Sequence, residues 1–542
     1  MLRIENRQMS FYSILYGKIP KDHVLKKIDE AVDFSFVNDL LKDSYCENFG
    51  RPAKEPELMM RLSFLQYMYD LSDESVIEDA GYNLAYMWFL GLNPEDSLPH
   101  ASLLAKFRTQ RLKGDTLDNI LTEIVRQCVE KEIIKGKGAD VDTTHMEANT
   151  IKKVPERMMR HMARRIFAGL EADHGVIPKS VDTDIPNIKE IEDHKEAKKA
   201  MEEYLLKVIS QAEAVGGDKT KTAVDEAKGI LEDEKFLLQK GVRSLVDKDA
   251  RVGYKSKTDN FFGYKAEFMM TAEERIITAA DAHSGEYMDG GDFDALLERT
   301  LKSGAQVDEI YGDKAYFKKS ILEKIEGIGA DSYIPVSASA YRVDEERFSY
   351  NKDSDQWFCS LGNHTISKKH KIRKHSNVDG GKYNTYLYEF DAGQCSGCAH
   401  RQECMGSQKC KARKLEISTS TSFLYEYSQR QKSPEFLEKY AVRAGVEWKN
   451  GEMKRFHGMS RARGFGLESV RTQVKLTAIA VNLKRIANIL IASEKGEAKR
   501  SRDGMFYLFF AFSRAAFHPL FTRFLATPVR IGCYRAISDL CH

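Results

Sequence analysis

A helix with one charged face lies late in the chain and restricts how the surrounding sequence can fold. Residues 433–435, Ser-Pro-Glu, supply an N-cap residue, a proline suited to the first turn and an early acid, so a helix is predicted to begin there and to stop near Gly458. At about 100° per residue, four of its side chains fall within about 60° of arc. They are Tyr440, Arg443, Glu447 and Lys454.

A helix face that packs on a core carries Leu, Ile and Val, so this face is predicted to meet either solvent or a charged ligand. The simpler interpretation is a solvated face on which Arg443 and Glu447 form an ion pair between successive turns. Geometry alone favours this simpler interpretation.

The spacing Tyr-x2-Arg-x3-Glu-x6-Lys resembles the signature helix of bacterial insertion-sequence DDE transposases. The run HGMSRARGFGLESVRTQVKLTAIAVNLKRI, residues 457–486, also resembles the end of their catalytic domain. The resemblance implies that Glu447 is the third catalytic carboxylate, and that Tyr440, Arg443 and Lys454 hold DNA phosphates.

Two further acids lie in or directly after predicted strands. Residues 139–146 are predicted to form a short Val- and Thr-rich strand with Asp140 and Asp142 on one face. The segment VDTTHMEANT resembles the first catalytic block of the family, and Asp142 aligns with the first catalytic carboxylate. YGDKAYFKKS, after a strand predicted at 307–311, resembles the second block and aligns Asp313. Nearby acids are interpreted as turn and cap residues: Asp281, Asp289 and Asp292.

The resemblance implies a ribonuclease-H-like α/β domain, a mixed five-stranded sheet flanked by helices. Asp142 and Asp313 would lie on adjacent strands and Glu447 on a following helix. The resemblance also implies that the protein cleaves double-stranded DNA at a transposon end. The freed 3′-OH would then attack the other strand of the transposon or a target DNA. Chemistry supports three carboxylates, because two Mg²⁺ or Mn²⁺ ions about 3.5–4 Å apart need hard oxygen ligands for in-line phosphoryl transfer.

Charge is distributed unevenly along a chain whose formal net charge is only +2. Residues 401–490 hold 18 basic against 8 acidic residues, whereas residues 181–250 hold 17 acidic against 12 basic. A basic segment around the signature helix is what a phosphate backbone requires. Arg461 and Arg463, in a Gly-rich loop, are further predicted DNA contacts.

Residues 1–135 are predicted to be entirely helical. A helix at 100–112 carries Lys106, Arg108 and Arg111 opposite apolar side chains, which suits either a helix-turn-helix type of DNA-binding module or a small bundle with ordinary surface cations. The segments GRPAKEPELMMRLSFLQYMYDLSDESVIEDA and LPHASLLAKFRTQRL resemble the N-terminal domain of many of these transposases, which implies binding to terminal inverted repeats.

Two insertions are predicted in the catalytic domain, residues 136–495. Residues 152–250 are predicted to form a helical insertion, which is charged from about 185 onward and is interpreted there as a hairpin of two helices. Residues 340–430 are predicted to form a β-rich insertion in which Trp357 is a buried strand residue, with a base-stacking role as the alternative. This second insertion contains a cysteine cluster that suits structural Zn²⁺, with His400 as a substitute ligand and with free thiols or a redox role as the alternatives. The cluster is Cys395, Cys398, Cys404 and Cys410.

The remaining residues, 496–542, form an apolar tail whose stretch at 505–512 is too short to span a membrane. Scattered cysteines and an N-terminus without a signal pattern predict a cytoplasmic, nucleoid-associated protein. Pairing two DNA ends implies a homodimer in the active complex. Two alternatives stay open: a nuclease of the same fold without strand transfer, and a catalytically decayed transposase that regulates by binding DNA.

Overall fold

A computed structural model groups residues 1–487 into one compact unit and residues 488–542 into a second. It describes residues 10–46, 52–150, 153–188, 190–191, 193–233, 236, 242–256, 258–338, 341, 343–374, 382–405 and 411–494. The predicted tail, 496–542, and Cys410 lie outside the described residues. The predicted division into domains stays a prediction.

The N-terminal region is helical, as predicted. Ser72 caps one helix by accepting a hydrogen bond from the Ser75 amide at 3.0 Å, and the preceding helix, Pro56–Met68, is buried along most of its length. The α-helices are Val24–Ala31, Phe36–Leu41, Pro56–Met68, Asp73–Tyr82, Leu84–Phe89, Ser102–Gln110 and Thr116–Glu130, with 3₁₀ helices at Phe11–Lys18 and Lys42–Ser44.

A mixed sheet forms the centre of the protein. Its strands are β1 (Gly138–Glu147), β2 (Arg251–Tyr254), β3 (Asn260–Thr271), β4 (Ile277–Ser284), β5 (Glu309–Gly312) and β6 (Asp331–Tyr333). β3 is antiparallel to β1 on one side and to β2 and β4 on the other. β5 runs parallel to β1, and β6 runs parallel to β5. The strands predicted around Asp142 and before Asp313 are confirmed.

Each face of the sheet is covered by helices. Phe293–Lys302 and Lys319–Gly327 cover one face, where Val141 and Met269 contribute to the apolar core. The other face packs against Ala444–Phe456 and the last helix, Leu467–Glu494. Both faces of the sheet are therefore buried.

The helix Leu467–Glu494 is long and apolar enough to cross a membrane, but 56% of its most apolar window is buried within the protein. Val470, Val474 and Val481 pack into the core beside the sheet. The helix is therefore a core element that closes this face of the sheet.

The described residues of the helical insertion include three long helices: Pro155–His174, His194–Val215 and Asp218–Leu231. The last two form the predicted hairpin. Apolar side chains of all three helices form a core separate from the central sheet, including Ile166, Leu205 and Val224. The charged composition therefore belongs to the outer faces of a small bundle.

The second insertion is β-rich, as predicted. Its strands are β7 (Phe348–Asn351), β8 (Gln356–Cys359), β9 (Thr365–Lys374), β10 (Lys382–Phe390) and β11 (Lys414–Ser418), with helices Ala392–Ser396, Arg401–Met405 and Thr421–Arg430. Trp357 on β8 is fully buried, so the prediction of a core tryptophan is confirmed.

The signature segment differs from the single predicted helix. Ser433 does cap a helix, accepting from the Phe436 amide at 3.1 Å, but that helix is Pro434–Tyr440. A 3₁₀ turn, Ala441–Arg443, separates it from the helix Ala444–Phe456. The prediction of one continuous helix is therefore wrong, whereas the stop at Gly458, with φ +67°, is confirmed.

Asn482 on the last helix is predicted to contribute strongly to stability. Its side chain accepts from the Ile277 amide and donates to the Ile277 carbonyl, both at 2.7 Å, and the residue is fully buried. Asn482→Ala leaves both backbone groups unpaired and should lower the free energy of unfolding by about 2–4 kcal/mol in urea denaturation. Asn384→Ala, on the exposed part of β10, is the control and should change it by less than about 0.5 kcal/mol. Equal effects of the two substitutions would contradict the expectation.

Candidate active site

Asp142 lies on β1 and is 7% exposed. Its two carboxylate oxygens accept from different residues of the signature segment. Arg443 Nη2 donates to Oδ1 at 2.7 Å, and Asn450 Nδ2 donates to Oδ2 at 2.7 Å. The carboxylate therefore joins the sheet to the segment that carries Arg443 and Asn450.

Asp313 follows the neighbouring parallel strand. Gly312, the last residue of β5, is paired with Val141, so Asp313 comes out beside Asp142. A Cβ at Gly312 would lie 3.3 Å from Val141 Cγ1, so glycine permits this close packing. The Asp313 carboxylate accepts from the Ala315 amide at 2.8 Å and begins the 3₁₀ turn Lys314–Tyr316.

Glu447 lies one helical turn after Arg443, and its side chain is 72% exposed. Its Oε1 is 3.9 Å from Arg443 Nη1. Arg443 is acted on by the charges of all three predicted acids, Asp142, Asp313 and Glu447. The fold therefore brings Asp142 and Glu447 to one guanidinium, and Asp313 follows the strand beside Asp142.

Burial raises the pKa of Asp142 to about 6. The cation of Arg443 and the hydrogen bond from Asn450 oppose this rise, whereas the negative charges of Asp313 and Glu447 add to it. The charges of Asp313 and Glu447 therefore act on the buried carboxyl group of Asp142.

Asn450 was missed by the sequence reasoning. It lies three residues after Glu447 on the same helix, so it points in a similar direction, and that spacing is the signal that could have identified it. Its Oδ1 is buried and has no hydrogen-bond partner.

A second hydrogen-bonded group supports the strand and turn that carry the two aspartates. Tyr316 Oη is 2.7 Å from Thr143 Oγ1 and donates to Glu267 Oε1 at 2.7 Å. Glu267, on β3, is fully buried and also accepts from Tyr287 Oη at 2.5 Å and from the Gly290 amide at 2.7 Å. No sequence motif indicated this arrangement, because its members come from four separate segments.

Lys454 lines a pocket of about 370 Å³ together with His145, Glu147, Ser460 and Arg461. Burial and the neighbouring charge of Lys255 lower the pKa of Lys454 to about 8. Burial and the charge of Lys454 lower the pKa of His145 to about 4, so this imidazole is neutral at pH 7. Two of the predicted DNA contacts, Lys454 and Arg461, therefore line the same pocket.

The other predicted DNA contacts differ in how available they are. Lys106 is exposed, and Tyr440 is half-buried, stacked on Phe436 with ring centroids 5.9 Å apart. The remaining arginines bond to the protein: Arg108 to Asp73 at 2.6 Å, Arg111 to the Ser44 carbonyl, and Arg463 to Asp70. A phosphate would have to compete with those partners.

The cysteine cluster lies in the β-rich insertion. Burial raises the pKa of Cys404, and the nearby thiols of Cys395 and Cys398 add to the rise. Among the residues that the structure describes, no three His, Cys, Asp or Glu side chains form a group that could hold a metal ion. Because Cys410 is outside those residues, the predicted zinc site stays a prediction.

Two parts of the chain match protein families. Residues 13–110 match the family described as Transposase domain (DUF772), and residues 362–487, which include Glu447, match the Transposase DDE domain. Both matches support an insertion-sequence DDE transposase.

The chain also matches a solved structure, a cryo-EM structure of the piggyBac transposase synaptic complex with hairpin DNA. The two are 10% identical, and the match covers 93% of this chain and 82% of that one with a TM-score of 0.28. A TM-score this low carries no argument about fold or function.

The pKa of Lys454 predicts how binding of a DNA end depends on pH. Lys454 is protonated below about pH 8 and loses its charge as the pH rises to 9, so binding of a labelled transposon end should weaken by about threefold or more between pH 7 and 9. Lys454→Arg keeps its charge over this range and should flatten the profile, measured by fluorescence anisotropy at constant salt. An equal fall with Lys454→Arg would assign the pH dependence to another group.

Proposed function

We propose that this transposase binds the terminal inverted repeats of its element, cleaves a DNA strand there and joins the freed 3′-OH to the element's other strand or to target DNA. Asp142, Asp313 and Glu447 are the catalytic carboxylates of the proposal. The observation that supports it best is that Asp142 and Glu447 both lie beside Arg443, while Asp313 follows the strand next to Asp142.

The proposal includes a ribonuclease-H-like catalytic core. In support, the strands run in the order β4-β3-β1-β5-β6, with β2 beside β3, and helices cover both faces. The first two acids come from adjacent parallel strands and the third from a helix packed against the sheet. This is the arrangement that the family resemblance implies.

The three acids have the donor chemistry that Mg²⁺ or Mn²⁺ prefers, since carboxylate oxygens are hard ligands. Two such ions, when bound, would supply charge stabilisation for the attacking and leaving oxygens of phosphoryl transfer. In the present arrangement, however, Arg443 and Asn450 take one oxygen each of Asp142. The chemistry of these donors therefore suits the metal, but as they are placed the three acids do not form a group that could hold it. Asp142 has to exchange a partner, and the carboxylates have to move closer together, before they can do so.

The DNA backbone is proposed to pass the pocket of Lys454 and Arg461, where Lys454 comes from the same helix as Glu447. Phosphate contacts of this kind hold the DNA end in register and carry no sequence information themselves. Arg443 and Tyr440 lie at the same site, and Lys106 presents an exposed cation on the N-terminal helices. The proposal places the protein in the cytoplasm, as a homodimer when two ends are paired and with a structural Zn²⁺ at the cysteine cluster.

Removing one carboxylate should abolish cleavage while DNA binding is kept. Glu447→Ala and Asp313→Ala should each lower metal-dependent nicking of a labelled element end by at least about 10³-fold, because each would remove a ligand oxygen. Cleavage with Mg²⁺ or Mn²⁺ is compared with cleavage in EDTA on sequencing gels, and anisotropy measures end binding. Glu435→Ala, an exposed acid of the preceding helix, is the control and should cleave normally.

The same experiment separates the alternatives. Normal cleavage by either variant would remove that residue from the proposed site. End binding without cleavage by the wild type under both metals would favour a decayed transposase that acts as a regulator. Cleavage without a strand-transfer product would favour a nuclease of the same fold.

A further inference from the structure

Asp140 is a buried acid for which the proposed chemistry has no use. It lies two residues before Asp142 on β1, on the same face of the strand, and it is fully buried. Neither of its carboxylate oxygens has a hydrogen-bond partner. An unpaired buried carboxylate is costly, and an asparagine or an apolar residue would fill the position at lower cost.

Arg443 is the cation that acts most strongly on Asp140. Burial raises the pKa of Asp140, and the guanidinium of Arg443 opposes this rise. The charges of Asp142 and Arg275 have smaller effects on this pKa. The same guanidinium donates through Nη2 to Asp142, while its Nε is buried and has no partner. Arg443 therefore has a spare donor, and Asp140 has two spare acceptors.

The bond between Arg443 and Asp142 conflicts with the binding of a divalent cation. An oxygen of Asp142 that accepts from a guanidinium is less available as a metal ligand, and a metal ion is repelled by the positive charge of Arg443. If Arg443 leaves Asp142, its cation remains in a largely buried site and needs another acid. Glu447, also near Arg443, is itself one of the proposed metal ligands.

On the basis of the function proposed above, we infer that Asp140 is the acceptor to which Arg443 transfers when Asp142 takes up its metal ion. Residues two apart on a strand have Cα atoms about 7 Å apart, a displacement that side-chain rotation of an arginine can cover. Asp140 is thus a positioning residue that acts through Arg443. The Arg443–Asp142 ion pair keeps the metal-free site closed, and the pairing with Asp140 opens it.

The experiment measures Mn²⁺ binding to the full chain without DNA, by electron paramagnetic resonance of free Mn²⁺. Asp142→Asn gives the background from any other Mn²⁺ site. Asp140→Asn keeps shape but leaves Arg443 no second acid, so it should weaken Mn²⁺ binding by about 10- to 100-fold. Thermal melting checks that Asp140→Asn is folded, and removal of a buried, unpaired carboxyl group should not lower the melting temperature. If Asp140→Asn does not fold, Asp140→Ala is used instead.

A double substitution tests whether Asp140 acts through Arg443. Arg443→Gln removes the competitor for Asp142 and should bind Mn²⁺ at least as tightly as the wild type. Adding Asp140→Asn to Arg443→Gln should then change the affinity by less than about threefold, because no arginine remains to be placed. This lack of additivity is a result that a merely structural role for Asp140 would not produce.

Two outcomes would overturn the inference and leave the proposed function standing. One is wild-type Mn²⁺ affinity in Asp140→Asn. The other is an equal loss of affinity from Asp140→Asn whether or not Arg443 is present, which would show that Asp140 acts on the metal by its own charge. Wild-type protein that binds no more Mn²⁺ than Asp142→Asn, and that does not cleave, would overturn the proposed function and this inference with it.

Discussion

The buried carboxylate of Asp142 is the constraint on which the candidate site depends. A carboxylate inside a sheet loses its hydration, and the cost is acceptable only when donors replace the lost water. Arg443 and Asn450 supply those donors from the signature segment, one on each oxygen. The position of that segment over β1 is therefore fixed by polar pairing as well as by apolar packing.

Apolar packing determines which side of the signature helix reaches the site. Val446 and Met453 are buried against the sheet with residues of the last helix, such as Val474. With that side of the helix held in the core, Glu447 is left at the surface. One acid is buried and the other exposed, so the two carboxylates differ in environment although they share Arg443.

Much of the fold could be predicted from the sequence, whereas the partners within the site could not. Strand β1 follows from a short Val- and Thr-rich run that contains Asp142, and β5 follows from a short apolar run that precedes Asp313. The 3₁₀ turn at Ala441–Arg443 contains no Gly or Pro from which it could have been predicted. Tertiary packing therefore determines this turn, and local helix propensity does not. Asn450 and Glu267 bond to residues that are distant in sequence, so no local pattern indicates their roles. Arg108 and Arg463 were predicted to contact DNA because hydrophobic periodicity does not reveal their acidic partners, Asp73 and Asp70.

Buried polar contacts also join the N-terminal helices to the segments that follow the signature helix. His457, fully buried, bonds through Nδ1 to the Tyr67 carbonyl at 2.9 Å, and Arg463 lies 4.5 Å from the centre of the Tyr67 ring. Lys475 on the last helix pairs with Asp118 at 2.5 Å, and both side chains are nearly inaccessible. Breaking such contacts would leave unpaired polar groups in the interior. The loop that carries Arg461 therefore cannot move far from the N-terminal helices without a substantial cost, and a DNA end held by both would meet a nearly rigid surface.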